Sequence, residues 1–391
     1  TLRARGLAMM PPELARARSG AGMRLLAAAV RSAWDASARA SVAELVRAPL
    51  RWDALLGKAR LHGLTLFVHR ACGAAAHVPP DVRGRLHAQA RAAAARACVL
   101  TAELLNVIGE LERRGIPALA VKGPALGALL YGKESCRQFG DLDLLVPRRD
   151  FAAACELVRA QGYRPYFPLP DDPAALFARC EHAFVRPRGD VHIDLHWALL
   201  DEYFGAARDS ASLWDRSVSV ALGGGRARTP APADAMLHLC VHGAGHNWRR
   251  LDWPADVAAL GRLLSEREWF DLMARAERLG ARRMLLLGIR VAAWTYGLEA
   301  PRAIERVLDA ERTATALAVR ACRLLFDEDA APARQSPGYF LRALDRTGDR
   351  ARLLWKRMST PPAWVRRRAS PGAAHVLRPL QLLGRYAIPR R

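Results

Sequence analysis

At 391 residues the chain is long enough for roughly two to three domains and a sizeable core, which excludes a small disulfide-stapled scaffold. With 51% hydrophobic and 25% charged residues it is globular in composition, neither disordered, collagen-like nor low-complexity. Sixty Lys and Arg against thirty-eight Asp and Glu leave a net charge of +22. That charge suits a polyanionic partner such as nucleic acid, a nucleotide or an anionic membrane surface, and a coding bias toward Ala and Arg accounts for it equally well.

Residues 23–114 are rich in Ala, Leu and Arg with apolar positions at helical spacing, so several amphipathic helices are predicted; 103–113 shows the i, i+3, i+4 pattern clearly. The texture changes at Gly115-Ile116-Pro117. There a short apolar run, Ala118 to Val121, reads as a buried strand entering a turn at Lys122-Gly123-Pro124, with a helix over 124–131. Asp141-Leu142-Asp143-Leu144-Leu145-Val146 is a second strand closed by Pro147, and Asp150 is placed to cap a helix through Gln161. Extended pieces follow at 163–167, 183–186 and 191–197, the last two separated by Pro187-Arg188-Gly189-Asp190 and therefore read as an antiparallel hairpin. Beyond Pro230 the pattern is helical again, at 234–243, 253–265, 267–280, 282–297 and 304–327. The expected organisation is a helical region over 1–114, a mixed α/β core over 115–229, a helical domain over 230–330 and a basic segment over 331–391.

From Arg342 to the end there are thirteen Lys and Arg against two acids, half of the whole excess in about an eighth of the chain. Trp355 and Trp364 lie among Arg352, Lys356, Arg357 and Arg366 to Arg368, which offers an anionic partner such as nucleic acid a basic, aromatic surface, with core packing the alternative for the tryptophans. The seven cysteines are scattered, odd in number and contain no C-x-x-C pair, which argues for a reducing, cytoplasmic compartment. No run reaches about 18 uninterrupted apolar residues, the best, 284–298, being broken by Arg290, so no membrane span is expected.

The Asp141-Leu142-Asp143 triplet is the most informative feature. On a strand both carboxylates share one face while Leu142 and Leu144 turn to the core. Their repulsion in an apolar setting is relieved most simply by a divalent cation, the alternative being a solvated strand end. Lys122-Gly123-Pro124 offers a helix N-terminus and a cation for a phosphate group, or is a plain strand-to-helix turn. In His192-Ile193-Asp194-Leu195-His196-Trp197 a third carboxylate, Asp194, lies on the face shared with His192 and His196.

The order of glycine turn, D-x-D strand and later aspartate resembles nucleotidyltransferases of the DNA polymerase β type, and more narrowly a family of uncharacterised bacterial nucleotidyltransferases found beside peptide-modification genes. Val121-Lys122-Gly123, Leu129-Leu130-Tyr131-Gly132, Arg137, the Asp141 and Asp194 strands, Gly162-Tyr163, the block 239–256 and Leu377-Arg378-Pro379-Leu380 carry the resemblance, which runs from about residue 100 to the C-terminus. The wider superfamily has Gly-Gly or Gly-Ser where this chain has Lys122-Gly123, a departure shared with the narrower family. The resemblance implies an α+β fold, a nucleotidyltransferase-type mixed sheet with flanking helices between N-terminal and C-terminal helical regions. It also implies two Mg²⁺ ions, with Mn²⁺ as the alternative, held by catalytic Asp141, Asp143 and Asp194. Lys122, Gly123, Arg137, His192 and His196 would then meet the nucleotide, Arg137 having a surface ion pair as its plain alternative. An NTP would supply NMP to a hydroxyl or phosphate acceptor, whether peptide, small molecule or RNA end; the rival function is a nucleic-acid or peptide-binding module on a degenerate transferase scaffold.

His238, His242 and His246 recur every four residues and line one helix face. They lack the glutamate of an H-E-x-x-H site, so packing, with His242 or His246 close to the cleft, is expected ahead of zinc.

Overall fold

The computed structural model describes residues 10–132, 137–170, 176–177, 180–187, 191–200, 210–327 and 337–359. The chain begins with helices α1 (Pro12–Ser19), α2 (Ala21–Arg31), α3 (Ala36–Leu45), α4 (Trp52–Leu61), α5 (Thr65–Cys72) and the long α6 (Pro80–Arg113). The mixed region follows as β1 (Leu119–Ala120), α7 (Gly123–Tyr131), β2 (Leu142–Leu145), α8 (Phe151–Ala160), β3 (Arg164–Pro165), β4 (Glu181–Val185) and β5 (His192–His196). A seven-residue helix, α9 (Ser210–Arg216), leads to strands β6 (Val218–Leu222) and β7 (Gly225–Thr229). The helical half comprises α10 (Pro232–Gly245), α11 (Asp252–Gly261), α12 (Glu266–Leu279), α13 (Arg282–Tyr296), α14 (Arg302–Ala310), α15 (Arg312–Phe326), α16 (Pro337–Ala343) and α17 (Thr347–Ser359).

Five strands form one sheet in the order β1-β2-β5-β4-β3. The β2–β5 pair is parallel and the others are antiparallel, so the sheet is mixed as expected. The period of two along β2 and β5 splits their side chains cleanly. Leu142, Leu144, Ile193 and Leu195 enter a core shared with Leu104, Ile108 and Leu111 of α6 and Phe151, Ala154 and Val158 of α8. Leu145 turns to the other face, beside Leu119, Val121 and Leu213. That second face carries the aspartates and is where α10 approaches.

The helices on either side of the sheet region in sequence share a single core, in which Leu25, Leu26 and Phe67 join Trp248, Trp294, Phe326 and Tyr339. Among the described helices, α6 alone has the length and composition to cross a membrane. Its Leu100, Leu104, Val107, Ile108 and Leu111 are buried in the sheet's core.

Several local expectations change. The helix predicted over 304–327 is two helices, α14 and α15, which meet at Glu311. Asp150 ends a 3₁₀ turn (Arg148–Asp150) and makes no side-chain cap on α8. The β6–β7 hairpin was not foreseen, although Gly223 and Gly224 at its turn, with φ +50° and +90°, fit the two-residue type that matches strand twist. Of the basic C-terminal stretch, Arg346 donates to the carbonyls of Glu277 and Arg278 at the end of α12, and Arg350 donates to Leu344. Tyr339, Leu344 and Leu353 are buried in the helical core. The expected basic and aromatic stretch at 364–368 and the motif at 377–380 lie outside the described residues, as does Cys136.

Close packing of α13 on α10 runs through Gly288, where an added Cβ would stand 2.4 Å from Cys240 Sγ and 3.0 Å from Trp248. Gly84, exposed within α6, would meet nothing within 4 Å. Gly288→Ala is therefore expected to cost about 1–3 kcal/mol through overpacking. Gly84→Ala should gain roughly 0.5–1 kcal/mol from helix propensity. Thermal unfolding of the two variants should move in opposite directions.

Candidate active site

At the turn from β1 into α7, Gly123 has φ +56°, a left-handed conformation that suits glycine, and Pro124 occupies the first helical turn, where its missing N–H costs nothing. A Cβ on Gly123 would sit 3.5 Å from the carbonyl oxygen of Asp141, so this turn and the start of β2 are closely apposed. Val121 and Lys122 lie between β1 and Gly123, and the Lys122 side chain crosses the sheet face to β2.

Asp143 and Asp194 are register partners on the parallel strands β2 and β5, and both lie on the face opposite the α6–α8 core. Asp143 is 5% exposed. Lys122 Nζ donates to its Oδ1 at 3.1 Å, and His196 Nε2 meets the same oxygen at 3.3 Å. Burial alone would raise the pKa of Asp143; the Lys122 charge and then the His196 hydrogen bond outweigh it and hold the carboxyl well below its ordinary range. For His196, burial opposes protonation, but the bond to Asp143 and the Glu181 charge raise its pKa. Glu181 Oε2, on the neighbouring strand β4, is 3.3 Å from His196 Nδ1.

For the remaining carboxylates the nearby cations, Lys122 and Arg137 at Asp141 and His196 at Asp194, do not outweigh burial. Burial and then the Asp143 charge push Asp194 up to about 6. Asp141 still meets solvent, yet the surrounding protein desolvates it and, with Asp143, raises its pKa. Protein cations thus outweigh burial at Asp143 but not at Asp141 or Asp194. Among the described residues, no three His, Cys, Asp or Glu side chains are gathered closely enough to hold a metal ion by themselves.

Helix α10 closes over this face. His242 Nδ1 accepts from Lys122 Nζ at 3.4 Å, so the ammonium is held between β2 and α10. Burial, followed by the Lys122 charge, keeps His242 well below the ordinary histidine range and therefore neutral. The rings of His242 and His246 are 4.5 Å apart, with Trp253 edge-on to His242. The three histidines pack as a column, with His242 the one that meets Lys122.

The other site candidates fall into place around this cluster. Arg137 is buried and donates from Nε to Asp256 Oδ2 at 2.8 Å, while Tyr131 donates to Oδ1 of the same carboxylate at 3.1 Å. Asp256 of α11 thus holds both Tyr131 and Arg137, and Arg137 is near enough to lower the pKa of Asp141. This buried ion pair replaces the surface pair considered for Arg137. His192 lies at the start of β5, opposite Val185, on the aspartate side. Glu181 was missed in the sequence, where its only signal is the hairpin register that sets it against His196.

Residues 48–297 match the protein family described as Uncharacterised nucleotidyltransferase. The similar solved structures include an antigenic nucleotidyltransferase-like protein from Paracoccidioides brasiliensis, at 14% identity and a TM-score of 0.34, over 54% of this chain and 96% of that one. No curated protein matches the chain. The family match takes in the sheet, its aspartates and the helices that close over them, and the chain belongs to this uncharacterised nucleotidyltransferase family.

Proposed function

We propose that this sheet face carries out Mg²⁺-dependent transfer of NMP from an NTP to a hydroxyl or phosphate acceptor, with Mn²⁺ an alternative ion. The supporting observation is the pairing of Asp143 with Asp194 across parallel strands, directly beside Lys122 and the Gly123 turn. The donor chemistry fits a hard cation: Asp141, Asp143 and Asp194 all offer carboxylate oxygens, and a bound cation would offset the burial and the Asp143 charge that raise the pKa of Asp141 and Asp194. Bound Mg²⁺ would neutralise phosphate charge and favour ionisation of the acceptor hydroxyl. The start of α7 would receive the phosphates. Asp141 and Asp143 would orient the triphosphate side, while Asp194 faces the acceptor and accepts its proton. The acceptor oxygen bonds to the α-phosphorus, the bond to the β-phosphate oxygen breaks, and pyrophosphate leaves. Lys122, released from Asp143, would then meet phosphate oxygens. The acceptor class stays open among peptide, small molecule and RNA end, including a role in peptide natural-product modification.

A second reading has its own observation: Lys122 already supplies Asp143 with a cation, as expected of a binding module on a degenerate scaffold. The two readings differ in whether metal and Lys122 compete for the same carboxylate. Removing one partner of a buried ion pair costs about 3–5 kcal/mol, so Lys122→Met should lower the unfolding temperature. Under the transferase reading, Mg²⁺ should raise that temperature more in Lys122→Met than in the parent; an equal or absent response favours the binding module.

Turnover supplies a separate check. With α-labelled NTPs, Mg²⁺ and pools of peptides, small molecules or RNA, Asp143→Asn and Asp194→Asn should each reduce label transfer by about 10²–10³-fold, the scale of losing one charge-stabilising group. Folded variants with transfer equal to the parent would remove these aspartates from the chemistry.

A further inference from the structure

A cavity of about 520 Å³ opens at the opposite end of the strands from Gly123. It begins where the aspartates stop: Leu145 and Pro147 extend β2 into its wall, and Trp197 to Leu200 extend β5. Helix α10 contributes Leu237 and His238, and α9 contributes Leu213 and Trp214. The volume falls within the range of small-molecule sites, which are mostly apolar with a few placed polar groups.

Two observations point to an occupant. The first is His238, 7% exposed, which lines the cavity and donates from Nδ1 to the Leu199 carbonyl at 3.0 Å. Its Nε2 is buried and has no hydrogen-bond partner. With the proton on Nδ1, Nε2 is an acceptor, and leaving it unmatched is costly. The second is the charge of the wall. Arg148, Arg149, Arg228 and Arg275 line it against one carboxylate, Asp234, which is itself bonded by both Arg216 and Arg275. The Arg148 guanidinium lies 4.6 Å from the centre of the Trp197 ring, so cation and aromatic surface are presented together.

We propose that this cavity is a second ligand site, for a small aromatic or branched apolar molecule that carries one anionic group and an N–H or O–H donor. The flat apolar body lies among Trp197, Trp214 and the leucines, the donor meets His238 Nε2, and the anion faces the arginine side. The site is independent of the nucleotidyl-transfer reading, since no residue assigned to that chemistry lines it.

The probe is 8-anilinonaphthalene-1-sulfonate, which has an aromatic body, an N–H and a sulfonate; N-phenyl-1-naphthylamine is its uncharged counterpart. Titrated into the full chain and followed by probe and tryptophan fluorescence, the sulfonate should bind saturably at one molecule per chain. Arg149→Glu, at a side chain 79% exposed and 3.4 Å from Asp150, should weaken the sulfonate by about 2- to 5-fold, the worth of an exposed charge contact, and leave the uncharged probe unchanged. Ala198→Phe, which fills the cavity, should weaken both probes. Non-saturable binding, more than one site per chain, or sulfonate affinity unaltered by Arg149→Glu would overturn the proposal, whether or not Ala198→Phe folds.

Discussion

The structure turns on the burial of one carboxylate. Asp143 sits mid-strand at 5% exposure, where an uncompensated charge would cost several kcal/mol. Compensation comes from three other elements: Lys122 from the β1–α7 turn, His196 from β5 and, through Lys122, His242 from α10. The ion pair therefore fixes the approach of α10 to the sheet as well as the charge of Asp143. It also sets the electrostatics of the face, since burial and then the Asp143 charge raise the pKa of both Asp141 and Asp194.

A second buried carboxylate organises the surroundings in the same way. Asp256 of α11 takes both Arg137 and Tyr131, and Tyr131 in turn packs edge-on against Phe67 of α5, with ring centroids 5.2 Å apart. Helix α7, which carries the Gly123 turn at one end, is thus anchored at the other to α5, which precedes the sheet in sequence, and to α11, which follows it. Positioning of the turn depends on this helical assembly, which explains why helices so distant in sequence surround a small sheet.

The parts of the site legible in the sequence are those written in local periodicity. Alternation along residues 141–146 and 192–197 placed Asp143 and Asp194 on one face, and Gly123 between an apolar run and Pro124 marked the turn. Partners set by tertiary contact were not legible. Nothing near Arg137 announces Asp256, 119 residues away, and nothing near Lys122 announces that its ammonium rests on Asp143 and His242. Glu181 depends on hairpin register, which the sequence indicated only as a turn at 187–190. A mixed α and β middle between helical regions was readable from the order of elements, and the family resemblance implied the fold class, whereas the β6–β7 hairpin was hidden because its arginines and glycines resemble a polar loop despite the alternation of Val218, Val220 and Leu222. The net charge announced no partners for single arginines: Arg346 and Arg350 of the basic C-terminal stretch serve backbone carbonyls.

Family membership and the arrangement of the sheet agree on a nucleotide-directed protein, and the central claim is that the Asp143–Asp194 pair receives a divalent cation in exchange for Lys122. A crystal of the full chain grown with Mn²⁺ and a non-hydrolysable NTP tests it most directly through the anomalous signal of manganese. The account predicts Mn²⁺ within coordination distance of carboxylate oxygens of both Asp143 and Asp194, with Lys122 Nζ moved from Asp143 to a phosphate oxygen. Nucleotide bound with no manganese at these aspartates, and Lys122 still on Asp143, would contradict it.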